Sequence, residues 1–327
     1  MRRRDFLFSL SAAALLATTR RVTAQAGVTP PVEPIPGGGP LPLPRPASPP
    51  AAKPVFTPLR RNVGVFTARG GTIGWLSSGD ALAAIDSKFP DTAAQFLAGL
   101  PGRGERKLDV LINTHHHGDH TGGNGVFKPV AQHIVAQAHV PDLQRRAAER
   151  AKPPTVDQQV YADQTFDDTW HLSLGGEEVS AKFLGPAHTG GDIVVVFEKA
   201  NVVHLGDLVF NRMYPVTDRF GGVNLRNWAR VLEKVIQDYP ADAIYVFGHG
   251  NPKFGVTGKR EDLTVMHAYL TRLVEHVQKE ISAGKTKEEI VTLKEFPGFP
   301  DFAEPGPNTR LPINLGVAYD ELMAKPS

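Results

Sequence analysis

The sequence contains no cysteine. That removes thiolate metal ligands, disulfides and a cysteine nucleophile, and it suits an oxidising compartment, where a free thiol is a liability. Any metal must then be held by His, Asp or Glu. Aromatic residues are scarce, 8% of 327, and no basic stripe carries them. A nucleic-acid groove is disfavoured, so no nucleic acid is expected as a partner. No run beyond the N-terminus is apolar enough to span a bilayer, so no stable membrane insertion is expected. A strong charge of one sign is also missing. The net charge is +2, and residues 1–26, with five arginines and one aspartate, supply +4.

What is present is an ordinary globular balance, 41% hydrophobic and 21% charged, long enough for one large domain or two small ones. The start, Met1-Arg2-Arg3-Arg4-Asp5-Phe6-Leu7, resembles a twin-arginine export signal. A modestly apolar run follows to Ala17, and Ala24-Gln25-Ala26 supplies small residues two apart, as signal peptidase prefers. Residues 1–26 are therefore expected to be a signal peptide read by the twin-arginine translocase, and the mature protein to be periplasmic and bacterial. Pro30 to Pro58 is crowded with Pro, Gly and Ala and cannot bury a core. Residues 27–60 are expected to be a linker and residues 61–327 the catalytic domain.

From there strands and helices alternate. Val63–Thr67, Thr72–Leu76, Ala81–Ile85, Leu108–Asn113, Gln132–Ala136, Val179–Leu184, Ile193–Phe197, Val202–Leu205 and Ala243–Phe247 read as strands. Asp91–Leu100, Pro141–Arg150, Leu225–Tyr239 and Asp262–Ile281 read as helices. The order suggests two sheets covered by helices, an α/β protein. The tail from Phe296, rich in Pro and Gly, either folds over the core or hangs loose.

The central segment is Asn113-Thr114-His115-His116-His117-Gly118-Asp119-His120-Thr121-Gly122-Gly123-Asn124, directly after an apolar strand. Loops at strand ends are where a rigid scaffold presents chemistry. His115 and His117 alternate, so both can point one way, while Asp119 and His120 can face a second metal. Two zinc ions about 3.5–4 Å apart would share and activate one water. Three later patterns repeat a theme of apolar strand, small residue and ligand. They are His188 in His188-Thr189-Gly190-Gly191, Asp207 after Gly206, and His249 after Gly248. The small residue permits close approach.

His-x-His-x-Asp-His, then a His-Thr-Gly turn, then Gly-Asp, then Gly-His resembles the metallo-β-lactamase superfamily, over roughly Val63 to Gly250. The resemblance implies an αββα sandwich, two mixed sheets flanked by helices, with metals at one edge. It implies that His115, His117 and His188 hold one metal, that Asp119, His120 and His249 hold the other, and that Asp207 bridges both. Zinc is the expected metal, two per chain, with iron or manganese also compatible with His/Asp donors. His116 reads as a residue behind the ligands or exposed, Asp86 as a structural hydrogen-bonding residue, and Asp192 as a support for His188 or simply the start of a strand. Tyr214 has two readings, a packed aromatic or a donor to a developing oxyanion, and is carried with Asp119 as a catalytic candidate.

The implied chemistry is hydrolysis of an acyl bond in a small-molecule substrate (lactone, ester, thioester or β-lactam-like) by a hydroxide bridging two metals. The β-lactamase classes with a cysteine have it where this chain has Asp207, and the pattern around His115–Asn124 is nearer glyoxalase II and the lactonases. That family's glutathione-binding tail has no match here. Two rivals remain. One is a persulfide dioxygenase of the same fold, with a single iron. The other is a non-catalytic binding module.

Overall fold

The computed structural model describes residues 53–304 and 309–324. The expected signal peptide and most of the expected linker lie outside the described residues. The linker ends sooner than expected, because Val55–Pro58 is already β1, paired antiparallel with Val63–Thr67, β2.

The next strands are β3 (Ile73–Ser77), β4 (Leu82–Ile85), β5 (Leu108–Asn113), β6 (Ala131–Gln137) and β7 (Gln164–Phe166). These seven form one sheet in sequence order, antiparallel up to β4 and parallel from β4 to β7. Then come β8 (Thr169–Leu174), β9 (Glu177–Phe183), β10 (Ile193–Phe197) and β11 (Val202–His204). Four short strands follow: β12 (Phe210–Asn211), β13 (Ile244–Val246), β14 (His249–Gly250) and β15 (Thr257–Gly258). The second sheet has six strands in the order β15-β13-β11-β10-β9-β8, and β12 pairs with β14 apart from it. Both large sheets are mixed.

Strand β10 shows why the sheets stack. Ile193, Val195 and Phe197 join a core layer with Val63, Val65, Ala83, Ile85, Val110 and Ile112 of the first sheet. Val194 and Val196, pointing the other way, pack under helices. A strand buried on both faces reads as a continuous apolar run, because alternate side chains face opposite layers. The first sheet repeats this with Leu82 and Ala84, which pack outward against α1 (Pro90–Gly99) through Phe96 and Leu97. Beyond α1 the chain makes two one-turn helices, α2 (Gly118–Thr121) and α3 (Asn124–Phe127), and then α4 (Val140–Arg150).

The second sheet is covered by α5 (Leu225–Asp238), α6 (Arg260–Ser282), the short α7 (Lys287–Ile290) and α8 (Leu311–Met323). Helix α5 starts where the Asn224 side chain accepts from Asn227 N–H at 2.9 Å, satisfying one orphan donor of the first turn. Its buried stripe is Leu225, Trp228, Val231, Leu232 and Val235, at helical spacing. The tail after Phe296 does fold over the core, since α8 buries Leu311, Leu315 and Ala318. The result is the αββα sandwich expected from the sequence. None of the described helices is long and apolar enough to cross a membrane.

Candidate metal centre

Strands β4, β5, β11 and β13 run so that their C-terminal ends meet at one edge of the sandwich. The loop after β5 is tied down at both ends. Asn113 and Asn124 exchange side-chain amide hydrogen bonds of 3.1 and 2.9 Å, and Ser87 Oγ donates to Asn124 Oδ1 at 2.8 Å. Asp86, at the end of β4 with φ +66°, accepts from Thr114 N–H at 2.7 Å and Thr114 Oγ1 at 2.8 Å. A left-handed non-glycine residue is held there only when its surroundings over-determine it. Asp86 is thus the structural hydrogen-bonding residue that the sequence suggests.

The later donors arrive on backbone tied with equal care. Asp192 accepts Thr189 N–H at 2.6 Å and Thr189 Oγ1 at 2.9 Å, fixing the turn that carries His188. Trp228 packs behind His188 with ring centroids 5.3 Å apart. Asp207 follows Gly206, whose φ is +49° and whose missing Cβ would stand 2.6 Å from Thr114 Oγ1. A Cβ on Gly248 would collide with the Asp207 carboxylate. Both positions need glycine for close approach.

The seven expected ligands converge. His115, His117, His188 and Asp207 form one group, and Asp119, His120 and His249 a second. In the first, His117 Nδ1 lies 3.1 Å from His115 Nε2 and 3.0 Å from His188 Nε2. Asp207 Oδ2 lies 3.7 Å from His115 Nε2 and 3.4 Å from His188 Nε2. In the second, His249 Nε2 lies 3.1 Å from Asp119 Oδ2 and 3.4 Å from His120 Nε2. Asp207 reaches this group too, with Oδ1 3.1 Å from His120 Nε2 and Oδ2 3.5 Å from His249 Nε2. Donors about 2.0–2.1 Å from a tetrahedral ion lie about 3.4 Å from one another. Both groups match that spacing.

The hydrogen bonds behind the imidazoles test the fit independently. His115 Nδ1 meets Thr114 Oγ1 at 3.0 Å, His188 Nδ1 meets the Val216 carbonyl at 3.0 Å, and His120 Nδ1 meets Asp86 Oδ2 at 2.7 Å. His117 turns its Nε2 to Asp218 Oδ2 at 3.2 Å. Each of these four rings has an acceptor for a proton on its far nitrogen, which lets the near nitrogen present a lone pair when the ring is neutral. In the first group three lone pairs then face one another at about 3 Å, an arrangement that asks for a cation. Asp207 Oδ1 is buried and, although His120 Nε2 lies 3.1 Å away, makes no hydrogen bond of good geometry. The donor set, all His and Asp, suits a divalent metal.

The electrostatics differ between the groups. Burial and the neighbouring imidazoles push His115 well below its ordinary pKa and His188 down to about 3. In the second group burial opposes charge, yet Asp207 and Asp119 outweigh it and raise His249 to about 9, and His120 moves up similarly. Burial also opposes ionisation of Asp207, but His249 and His120 hold its carboxyl well below the usual range. The metal-free site therefore keeps protons where a second ion would sit. His115, His120, His188 and Asp207 are buried, whereas His117, Asp119 and His249 are half-buried, so the site opens on their side.

Tyr214 is not brought to this cluster. The chain leaves β12 and pairs Met213 with Ala303, which carries Tyr214 into an aromatic group with Tyr269 and Phe302. Its hydroxyl accepts Phe296 N–H at 3.0 Å. The packed reading holds, and the oxyanion reading is withdrawn. His116 is buried, with Nε2 3.5 Å from Asp218 Oδ2. Two residues at the site escaped sequence reading. Asp218 sits in an irregular loop with no motif to mark it, and Lys88 lies just after Asp86 but is buried.

The family model described as "Metallo-beta-lactamase superfamily" matches residues 74–249. A hydroxyacylglutathione hydrolase of Methylococcus capsulatus is 29% identical over 251 residues, covering 75% of this chain and 87% of that protein. A metallo-beta-lactamase type 2 of Bacteroides fragilis is 24% identical, covering 52% of this chain and 64% of that one. Among solved structures, a metallo-beta-lactamase from Pontibacter korlensis superposes with a TM-score of 0.54 at 20% identity, over 67% of this chain and 99% of that chain. Over half of the chain thus matches one family, and the donors expected of it meet at one sheet edge: the chain belongs to the metallo-β-lactamase superfamily and is a metallo-hydrolase.

Proposed function

We propose that the protein is a dinuclear zinc hydrolase that cleaves an acyl bond in a small molecule: a lactone, ester, thioester or β-lactam-like ring. One observation carries this reading. Asp207 reaches both donor groups, Oδ1 towards His120 and Oδ2 towards His115, His188 and His249, and each group is spaced for an ion. Two bound zinc ions would supply a water acidified to roughly pKa 7 and a Lewis acid for the carbonyl. The chain's own groups do the rest. Asp119, on the open side, orients the water and takes its proton. Asp86, Asp218 and the Val216 carbonyl fix the imidazole tautomers. Buried Asp207 keeps both groups in register.

The likeness to hydroxyacylglutathione hydrolases and metallo-beta-lactamases supports an acyl substrate. The test is a panel of a chromogenic cephalosporin, a homoserine lactone, a thioester and an aryl ester, each assayed with wild type and with Asp119→Asn. One dominant substrate, lost in the variant, establishes the reaction. No hydrolysis above the variant's background rejects it, and one iron with oxygen uptake would favour the dioxygenase. The export reading stays a proposal on the sequence of residues 1–26. Arg3→Lys with Arg4→Lys is expected to trap the precursor in the cytoplasm, and normal export would refute it.

A further inference from the structure

Lys88 is a buried lysine that the reaction above does not use, with only 1% of its surface exposed. Its ammonium donates to the Gly71 carbonyl and lies 5.7 Å from the centre of the Phe66 ring. The backbone aims it inward. Lys88 has φ +56°, and its carbonyl accepts Gly123 N–H at 2.7 Å. A left-handed lysine needs such restraint.

Gly71 connects this amine to the second donor group. Its N–H donates to the Asp119 carbonyl at 3.1 Å, and a Cβ on it would strike the His120 ring. Residue Gly71 thus stands between the Lys88 ammonium on one side and the Asp119 backbone and His120 ring on the other. The charges that act on it are the carboxylates of Asp119 and Asp86. Arg310 acts on Asp207, which both groups share, and also on Asp119, so it biases the two groups in the same direction as Lys88. The first group's own partners are Thr114, Val216 and Asp218, which bring no cation.

We propose that Lys88 makes the two metal groups unequal, so that Asp119, His120 and His249 take their ion more weakly than His115, His117 and His188. This rests on the two-metal reading above. An arriving dication meets a buried amine in a medium that screens poorly. Either the amine stays charged and repels the ion, or it gives up a proton, which burial has made accessible by lowering its pKa to about 7. Both routes weaken the second ion. At limiting metal the protein would then hold one ion, in the first group.

The experiment is a zinc titration of the metal-free full chain against a chromophoric chelator at pH 6.5, with thermal melting of every variant. Wild type is expected to show two classes of site, separated at least several-fold. Lys88→Met should tighten the weaker class by up to about fourfold, the most that releasing a proton of pKa about 7 costs at pH 6.5, and leave the tighter class alone. Lys88→Gln, which keeps a donor for the Gly71 carbonyl, should do the same, and Lys88→Arg should behave as wild type. His249→Ala should delete the weaker class only. Two classes unmoved by both neutral variants would overturn the proposal alone, as would equal weakening of both classes in every Lys88 variant. A single ion at saturation would overturn the two-metal reading and this proposal with it.

Discussion

The two sheets deliver their donors in different ways. The first sheet presents His115, His117, Asp119 and His120 from one loop after β5. The side of the second sheet presents His188, Asp207 and His249 from three loops far apart in the chain. The first set is arranged by local geometry, braced by Asp86 and the Asn113–Asn124 pair. The second exists only when β10, β11 and β13 are in register and α5 is docked through Trp228. One half of the centre is therefore a property of a short segment, and the other half a property of the whole fold.

The strongest test of that contrast is Asp207→Ala, which removes the one donor reaching both groups. Metal content should fall at both, and kcat/KM by about a thousandfold or more, read by metal analysis and initial rates. Retention of either ion would mean that the three remaining donors of that group hold metal without the shared carboxylate. Next is Asp86→Ala, aimed at the local half. It strips partners from Thr114 and His120 in the interior and should lower stability by about 3 kcal/mol, read by chemical denaturation of the metal-free protein. A loss below about 1 kcal/mol would show that the loop does not depend on it.

Asp218→Asn is more selective. The carboxylate it removes orients His117 alone among the ligands, so first-group affinity should drop about 10- to 100-fold while the second group is unchanged. A smaller effect is expected from pH, with opposite signs for the two forms. His249 is raised to about 9 in the metal-free fold. Its contribution to stability is present below its unfolded pKa of about 6.5 and is lost as pH rises through about 9. Metal binding must displace that proton, so second-site affinity should rise over the same range. Melting curves and chelator competition from pH 6.5 to 9.5 would show parallel trends if the assignment were wrong.

The local half was also the half legible in the sequence. Four donors within six residues after Leu108–Asn113 announce themselves, and that strand, Val63–Thr67 and Ile193–Phe197 have the bounds that their apolar runs indicate. Only their order after the first motif marks His188, Asp207 and His249. What was not legible depends on tertiary contacts. The two-residue strands β12 and β14 are too short for any periodicity. Helix α8 hides in a Pro- and Gly-rich tail, although Pro312 in its first turn is a start signal and Leu311, Leu315 and Ala318 have helical spacing. Tyr214 follows Asp207 by only seven residues, yet the bridge at Met213 turns it away from the donor groups. Asp218 and Lys88 carry no local signature. Their roles come from what the fold lays beside them.

Helix α8 also has a consequence in time. The loop bearing Asp218 is clasped to it: Arg219 pairs with Asp320 and donates to the Gly316 carbonyl at 3.0 Å, and Thr217 Oγ1 lies 3.1 Å from the Asn314 amide. All seven donors have left the ribosome tunnel well before α8 has. A nascent chain can therefore gather its ligands while the carboxylate that steadies His117 is still unmoored. An ion captured at that stage would meet a looser cage than the finished one. A metal caught before Met323 had been made would be held fully only afterwards, so the order of translation would separate catching a metal from holding it.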